Sequence, residues 1–127
     1  MTTTYNVYRV YFAQLTGPDL VGIALVPAQL ADQGKGRFYH VKGNVGMGMD
    51  YEARPAYNFS GSKSFDRKEY LFQLPKSQLS EFESIASASK PPHDERVLLE
   101  RNPASLDPPA PDCTTWVDEV LELAQRL

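Results

Sequence analysis

The stretch that decides the fold is Leu20–Val26, which has the sequence LVGIALV. Nearly every residue in it is apolar, which is typical of a strand buried on both faces of a sheet. Pro27 ends the strand, because proline cannot donate a hydrogen bond to a neighbouring strand. The turn Thr16–Asp19 separates it from Val7–Phe12, a segment rich in β-branched and aromatic residues. The sequence therefore predicts two strands joined by this turn.

Three further segments have the alternating apolar pattern of strands. They are Gly36–Val41, Val45–Ala53 and Phe65–Leu74. Glycines interrupt the second of them, and glycine within a strand usually marks a bulge or a close approach of backbone. Met47 and Met49 share the apolar face of that segment, so we expect both in the core. The polar stretch Ala28–Gly36 and the Gly/Ser/Asn-rich stretch Pro55–Ser64 are interpreted as surface loops.

Two helices are predicted in the second half of the chain. The first covers Leu79–Ala86, where apolar residues recur at helical spacing, with Ser77 as its N-cap. The second follows Asp112, a good N-cap, and its apolar stripe consists of Trp116, Val117, Val120, Leu121, Ala124 and Leu127. Between the helices, Arg96–Glu100 fits a short helix or a strand, and the proline-rich Asn102–Pro111 is irregular. The pattern predicts an α+β fold in which a small antiparallel β-sheet packs against helices.

Composition limits the class of protein. The chain has 127 residues and a formal net charge of -3, which suits a single domain over residues 1–127 and gives no general electrostatic reason to bind nucleic acid. No apolar run approaches the roughly 20 residues of a membrane span. The start of the chain alternates in polarity, so we do not expect a signal peptide. A single cysteine excludes an intrachain disulfide, and together these features favour the cytosol.

Cys113 is the first candidate for a chemical role. It would occupy the first position of the last helix, where free backbone N–H groups and the helix dipole favour thiolate over thiol. The negative charge of Asp112 opposes that effect. The alternative is that Cys113 is a small buried apolar residue, and the sequence leaves both interpretations open.

His40 is the better of the two histidines as a base near Cys113, because it lies in a predicted strand. A core histidine bonded to the backbone is the alternative interpretation. His93 follows two prolines in a loop, where we expect a solvated side chain. These three residues are too scattered to predict a zinc site, and no cofactor motif is present, so neither a metal nor a cofactor is expected. Tyr51, Glu52 and Arg54 are further candidates for the lining of a cleft, although no motif picks them out.

The chain resembles a known superfamily in two separate places. The segment Val21–Val26 followed by Gly36–His40 is similar to the paired central strands of papain-like cell-wall peptidases. The segment Asp112–Leu121, with the sequence DCTTWVDEVL, is similar to the N-C-x-x-F-V-N-E-L helix of lecithin–retinol-type acyltransferases. In that branch the fold is circularly permuted, with the cysteine helix after the strands, which is the order found here. The resemblance implies a permuted papain-like fold and a nucleophilic role for Cys113.

One departure from the superfamily affects the chemistry. The catalytic histidine of the family aligns with Leu20, which cannot accept a proton, and His40 aligns with a second polar position that normally orients the base. Either His40 has become the base, or the site no longer performs ordinary thiol hydrolysis. Asp19 is a candidate replacement acid or base, although an aspartate in such a turn is usually a turn former.

Two functions follow from these residues. The first is a small cysteine enzyme that acts on an amide, ester or thioester by hydrolysis or acyl transfer, with Cys113 as nucleophile, His40 as base, and Asp19 and Asp112 in support. The second is a catalytically degenerate papain-like scaffold that binds a partner or small ligand without turnover. In either case the expected partner is a small molecule, a peptide or an acyl compound, and the sequence leaves the oligomeric state open.

Overall fold

A computed structural model describes residues 4–14, 20–30, 34–99 and 106–127, with the side chain of Leu30 left out. Its strands are β1 (Thr4–Phe12), β2 (Leu20–Pro27), β3 (Gly36–Lys42), β4 (Asp50–Tyr57) and β5 (Phe65–Pro75). Its α-helices are α1 (Leu79–Ala88), α2 (Arg96–Leu99) and α3 (Cys113–Ala124). Over the described residues the strands form one antiparallel sheet in the order β4-β3-β2-β1-β5. This confirms the predicted α+β class, with an antiparallel sheet and a helix that follows all the strands.

The predicted strands Val7–Phe12 and Leu20–Val26 lie within β1 and β2, which pair in antiparallel register. The turn Thr16–Asp19 that was predicted to join them lies outside the described residues, and so does Asp19 itself. β1 also pairs with β5, so it has a neighbour on each side. The buried apolar run of β2 is the middle strand of the sheet, as its composition requires.

The segment between β3 and β4 differs from its prediction. The strand predicted at Val45–Ala53 begins only at Asp50, because a turn precedes it in which the Gly48 N–H donates to the Val45 carbonyl oxygen. Gly48 has a φ of +94°, a value that favours glycine and is incompatible with a regular strand. Met47 therefore lies off the sheet and is 73% exposed, so its predicted place in the core is wrong, whereas Met49 packs against the core.

The loop predicted at Pro55–Ser64 begins later than expected. β4 continues to Tyr57, which pairs with Gly36 of β3. Proline is tolerated there because β4 is an edge strand, whose outer side needs no hydrogen-bond partner. The rest of the segment contains a short 3₁₀ turn, Phe59–Gly61.

The last helix begins where it was predicted, but it ends at Ala124, so Leu127, which was predicted on its apolar stripe, lies beyond the helix and is 41% exposed. The Asp112 carboxylate accepts a hydrogen bond from the Thr115 N–H at 3.1 Å, and the Thr115 hydroxyl accepts one from the Asp112 N–H at 3.1 Å. This reciprocal capping box fixes the start of α3. The cap predicted at Ser77 is wrong, because a 3₁₀ turn covers Lys76–Gln78 and α1 begins after it, without a side-chain cap. The ambiguous segment that begins at Arg96 is the short helix α2.

The two faces of the sheet bury different sets of residues. We call the face covered by α1 and α3 the helical face; its cluster includes Val7, Ile23, Leu25, Tyr39, Phe82 and Trp116. We call the opposite face the outer face; its cluster consists of Tyr8, Val10, Phe12, Ala24, Val26, Phe38 and Phe59. Side chains alternate between the faces along each strand, which is why β1 and β2 contribute to both clusters.

Candidate functional site

The site lies where β2 and β3 separate. The paired residues of these two strands are Ile23 with Tyr39, Ala24 with Phe38, and Leu25 with Arg37. Beyond the Ile23–Tyr39 pair the strands diverge, and the start of β2 and the end of β3 line a cavity of about 350 Å³. The residues that line the cavity come from both faces of the sheet.

Phe38 forms one wall of the cavity, and Gly22 allows it to do so. A Cβ atom at Gly22 would overlap Cζ of the Phe38 ring, because two non-bonded carbon atoms cannot approach so closely. The Phe38 ring also contacts Phe12 and Tyr57, with ring centroids 5.8 Å and 5.1 Å apart. The glycine in the middle strand thus makes room for an aromatic wall on the outer face.

Cys113 reaches the cavity from the helical face. It is the first residue of α3, its exposed fraction is 7%, and it belongs to the apolar cluster of that face. It is a free cysteine that lines the cavity. Cys113 is therefore buried among apolar residues and also borders the cavity.

His40 reaches the cavity from the outer face. Its neighbours Tyr39 and Val41 belong to the cluster of the helical face, so the alternation along β3 places His40 on the opposite side. Its ring packs beside Phe38, with centroids 4.9 Å apart, and its Nε2 makes a hydrogen bond of 2.7 Å to Oε1 of Glu52. Cys113 and His40 thus line one cavity from opposite faces of the sheet.

Glu52 lies opposite His40 in the register of β3 and β4 and organises the polar side of the site. Lys42 donates a hydrogen bond of 3.0 Å to its Oε2, and Nε of Arg54 lies 3.9 Å from its Oε1. The hydrogen bond with His40, followed by that with Lys42, lowers the pKa of the Glu52 carboxyl to about 2. The carboxylate is therefore ionised at neutral pH and holds the His40 ring in place.

The other candidate residues have varied positions. Leu20 is 44% exposed and lines the cavity with Cys113 and His40. The Asp112 side chain is used by the capping box of α3. His93 is exposed, as predicted. Of the three residues that no motif picked out, Arg54 lines the cavity and Glu52 holds His40, whereas the Tyr51 ring packs near Trp116 on the helical face.

Two serines that the sequence analysis did not single out, Ser62 and Ser64, also line the cavity. The Ala13 N–H donates a hydrogen bond of 2.7 Å to the carbonyl oxygen of Ser64, which fixes this loop beside the end of β1. The two hydroxyl oxygens lie 3.1 Å apart. Their segment is rich in small polar residues, and only its tertiary position gives these serines a place in the site.

An ion pair holds the segment that leads to Cys113. The Arg96 guanidinium binds the Asp94 carboxylate at 2.7 Å and also donates to the Pro108 carbonyl oxygen at 2.7 Å. The hydrogen bond with Arg96 lowers the pKa of Asp94. The Asp94 N–H in turn donates to the carbonyl oxygen of Val45, in the turn before β4. These contacts connect the turn before β4 to the segment that precedes α3.

The described residues can be searched for a metal site and for a helix that could span a membrane. Within them, no three His, Cys, Asp or Glu side chains are grouped closely enough to hold a metal ion. None of the helices that the structure describes has the length and apolar character needed to cross a membrane.

Comparison with known proteins gives the family. The profile of DUF6540, a family of unknown function, matches residues 7–126, and the chain belongs to this family. No curated protein and no solved structure matches the chain significantly.

Proposed function

We propose that the protein binds a small ligand in the cavity between β2 and β3 without turnover. The observation that carries this proposal is that Cys113 and His40 line the cavity from opposite faces, and that Leu20, which the resemblance aligns with the family's base, also lines it. A volume of about 350 Å³ lies within the range of small-molecule sites. In this view the chain keeps the permuted papain-like scaffold and has lost its thiol chemistry.

The surroundings of Cys113 support this proposal. A thiol nucleophile needs a base within about 3 Å, or one water molecule away. The residues of β2 and β3 in the cluster of Cys113 are Val21, Ile23, Leu25, Tyr39 and Val41, which include no group that accepts a proton at neutral pH. His40 lies on the other face of the sheet, where Glu52 holds its ring. The thiol then serves as a small apolar part of the cavity wall.

Alkylation of Cys113 by N-ethylmaleimide tests this proposal. We expect the same rate for the natural protein and for a His40→Ala variant, because His40 does not activate the thiol. A matched variant, Leu20→His, places an imidazole at the position of the family base and should react faster. A rate at least tenfold lower in His40→Ala than in the natural protein would overturn the proposal, provided circular dichroism shows that the variant is folded.

The second candidate is a cysteine enzyme acting on an amide, ester or thioester. The observation that favours it is the placement of Cys113 at the first position of α3 and on the cavity, where free backbone N–H groups could stabilise an oxyanion. Its test is incubation with p-nitrophenyl acetate. Attack by the thiolate would form a thioester with the acetyl group and release p-nitrophenolate, so mass spectrometry would detect one added acetyl group on Cys113. Absence of both products in the folded protein rules this candidate out.

The remaining features of the proposal follow from charge and cysteine content. We propose a small-molecule or acyl ligand instead of a nucleic acid, because the chain has a net charge of -3. We also propose a cytosolic location, because a single cysteine cannot form an intrachain disulfide.

A further inference from the structure

The charged residues that line the cavity share one sign. Among the described residues, the lining contains two basic side chains, Lys42 and Arg54, and one histidine, His40. It contains no aspartate or glutamate. Both acidic residues of β4, Asp50 and Glu52, lie outside the lining. The whole chain is acidic, with a net charge of -3, so this basic lining differs from the general composition.

Lys42 and Arg54 retain hydrogen-bonding capacity after their contacts with Glu52. A lysine ammonium has three N–H donors, and Lys42 uses one of them on Glu52. The Arg54 guanidinium has five donors, and its Nε lies 3.9 Å from Glu52, beyond hydrogen-bond distance. The side chains are 55% and 49% exposed, so both can turn toward a ligand.

An aromatic wall stands beside these cations. The Arg54 guanidinium lies 4.5 Å from the centre of the Tyr57 ring, and Tyr57 packs against Phe38, which in turn contacts Phe12. All three rings line the cavity. The site therefore presents cationic donors next to a continuous aromatic surface.

We propose that the cavity binds a small organic anion, with its charged head group between Lys42 and Arg54 and its apolar body against the rings of Phe12, Phe38 and Tyr57. A carboxylate, sulfonate or phosphate head group offers the acceptor oxygens that ammonium and guanidinium groups bind best. An aromatic or aliphatic body would replace water at the rings. This inference rests on the proposed binding function and adds the class of ligand.

Two fluorescent probes with the same aromatic skeleton test the class of ligand. Anilinonaphthalene sulfonate is an anion, and phenylnaphthylamine lacks the sulfonate group. We expect the anion to bind more tightly, and we expect Lys42→Gln and Arg54→Gln each to raise its dissociation constant about threefold to tenfold. The same substitutions should change the affinity for phenylnaphthylamine much less, because this probe has no sulfonate group for the two side chains to bind. Lys76→Gln and Arg126→Gln are matched controls, because both residues are exposed and do not line the cavity.

Glu52→Gln should change the affinity for the anionic probe in the opposite direction. It removes the carboxylate that holds Lys42, so we expect the anionic probe to bind more tightly while the neutral probe is unaffected. Protection of Cys113 from N-ethylmaleimide by the anionic probe checks that it occupies this cavity, since Cys113 lines it.

The outcomes separate the two proposals. Equal affinities for both probes, unchanged in Lys42→Gln and Arg54→Gln, would refute the anion inference and leave the binding function intact. If neither probe binds or protects Cys113, the proposed binding function fails as well. Circular dichroism of each variant ensures that a lost affinity is not a loss of folding.

Discussion

The two faces of the sheet differ in the side chains that they hold. On the helical face, strands and helices bury apolar side chains completely, such as Val7, Ile23 and Val117, each with no exposed surface. On the outer face, the aromatic cluster is interrupted at the end of β3 by His40 and its partner Glu52. The comparison teaches that both faces bury apolar side chains, but that the outer face also holds the polar pair of His40 and Glu52, and that residues of both faces line the cavity at the ends of β2 and β3.

Removing the Trp116 side chain from the helical face should have the largest effect on the free energy of unfolding. Trp116 is 1% exposed, and its indole N–H donates a hydrogen bond of 3.2 Å to the Ser89 carbonyl oxygen. We expect Trp116→Ala to lower the free energy of unfolding by about 3–5 kcal/mol, measured by urea denaturation. Tyr70→Ala on the outer face is the control, because Tyr70 is 53% exposed, and it should cost only about 0.5–1.5 kcal/mol for the edge-to-face pair with Tyr8. Similar losses in the two variants would abolish the contrast between the faces.

Filling the space between Gly22 of β2 and the Phe38 ring should have the next largest effect on the free energy of unfolding. Gly22→Ala places a methyl group against the Phe38 ring, which must move, and we expect a loss of about 1–3 kcal/mol in urea denaturation. If the ring causes the loss, Phe38→Leu should make room, so the double variant should be more stable than the sum of the two single changes predicts. Strict additivity would show that the cost at Gly22 has another origin.

Loss of the helix cap before Cys113 should lower the free energy of unfolding by a smaller amount. Asp112→Ala removes the acceptor for the Thr115 N–H, and we expect a loss of about 1 kcal/mol in the free energy of unfolding. Asp112→Asn keeps a capping oxygen and should retain most of that stability. It also removes a negative charge beside the thiol, so its Cys113 should react faster with N-ethylmaleimide than that of the natural protein. A large loss of stability in Asp112→Asn would contradict the capping account.

The smallest effect concerns the outer face and depends on pH. The pKa of Glu52 is lowered to about 2 in the folded protein, so its contribution to stability is present above the ordinary pKa of a glutamate and is lost as the pH falls toward 2. We therefore expect the difference in stability between the natural protein and Glu52→Gln to be constant near neutral pH and to shrink below about pH 4.5. Thermal denaturation across this range measures it, and a difference that grows on acidification would contradict the contact with His40.

The parts of the fold that local pattern determines could be predicted from the sequence. Leu20–Val26 forms the middle strand because its side chains are apolar on both faces, and α3 begins after Asp112 because an aspartate there can cap it. The start of β4 could not be predicted, since the apolar alternation of Val45–Ala53 continues through a turn that depends on the backbone conformation at Gly48. Periodicity alone does not distinguish such a turn from a strand.

The site was less predictable than the fold. Cys113 and His40 could be singled out by residue type, but the face of the sheet from which each reaches the cavity depends on the full packing of the strands and α3. The contact between His40 and Glu52 depends on the register of β3 and β4, and therefore on the length of the connection between them. One residue more or less in that connection would give His40 another neighbour.

The position of α3 after all five strands has a consequence for folding. β1 must pair with β5 although β2, β3 and β4 lie between them in the chain, and such non-local pairing is slow. During synthesis on the ribosome, the apolar side chains on the helical face of the growing sheet stay exposed until α3 has been synthesised and covers them. We expect a nascent chain stalled before α3 to depend on chaperones and to aggregate without them, even when its sheet has formed.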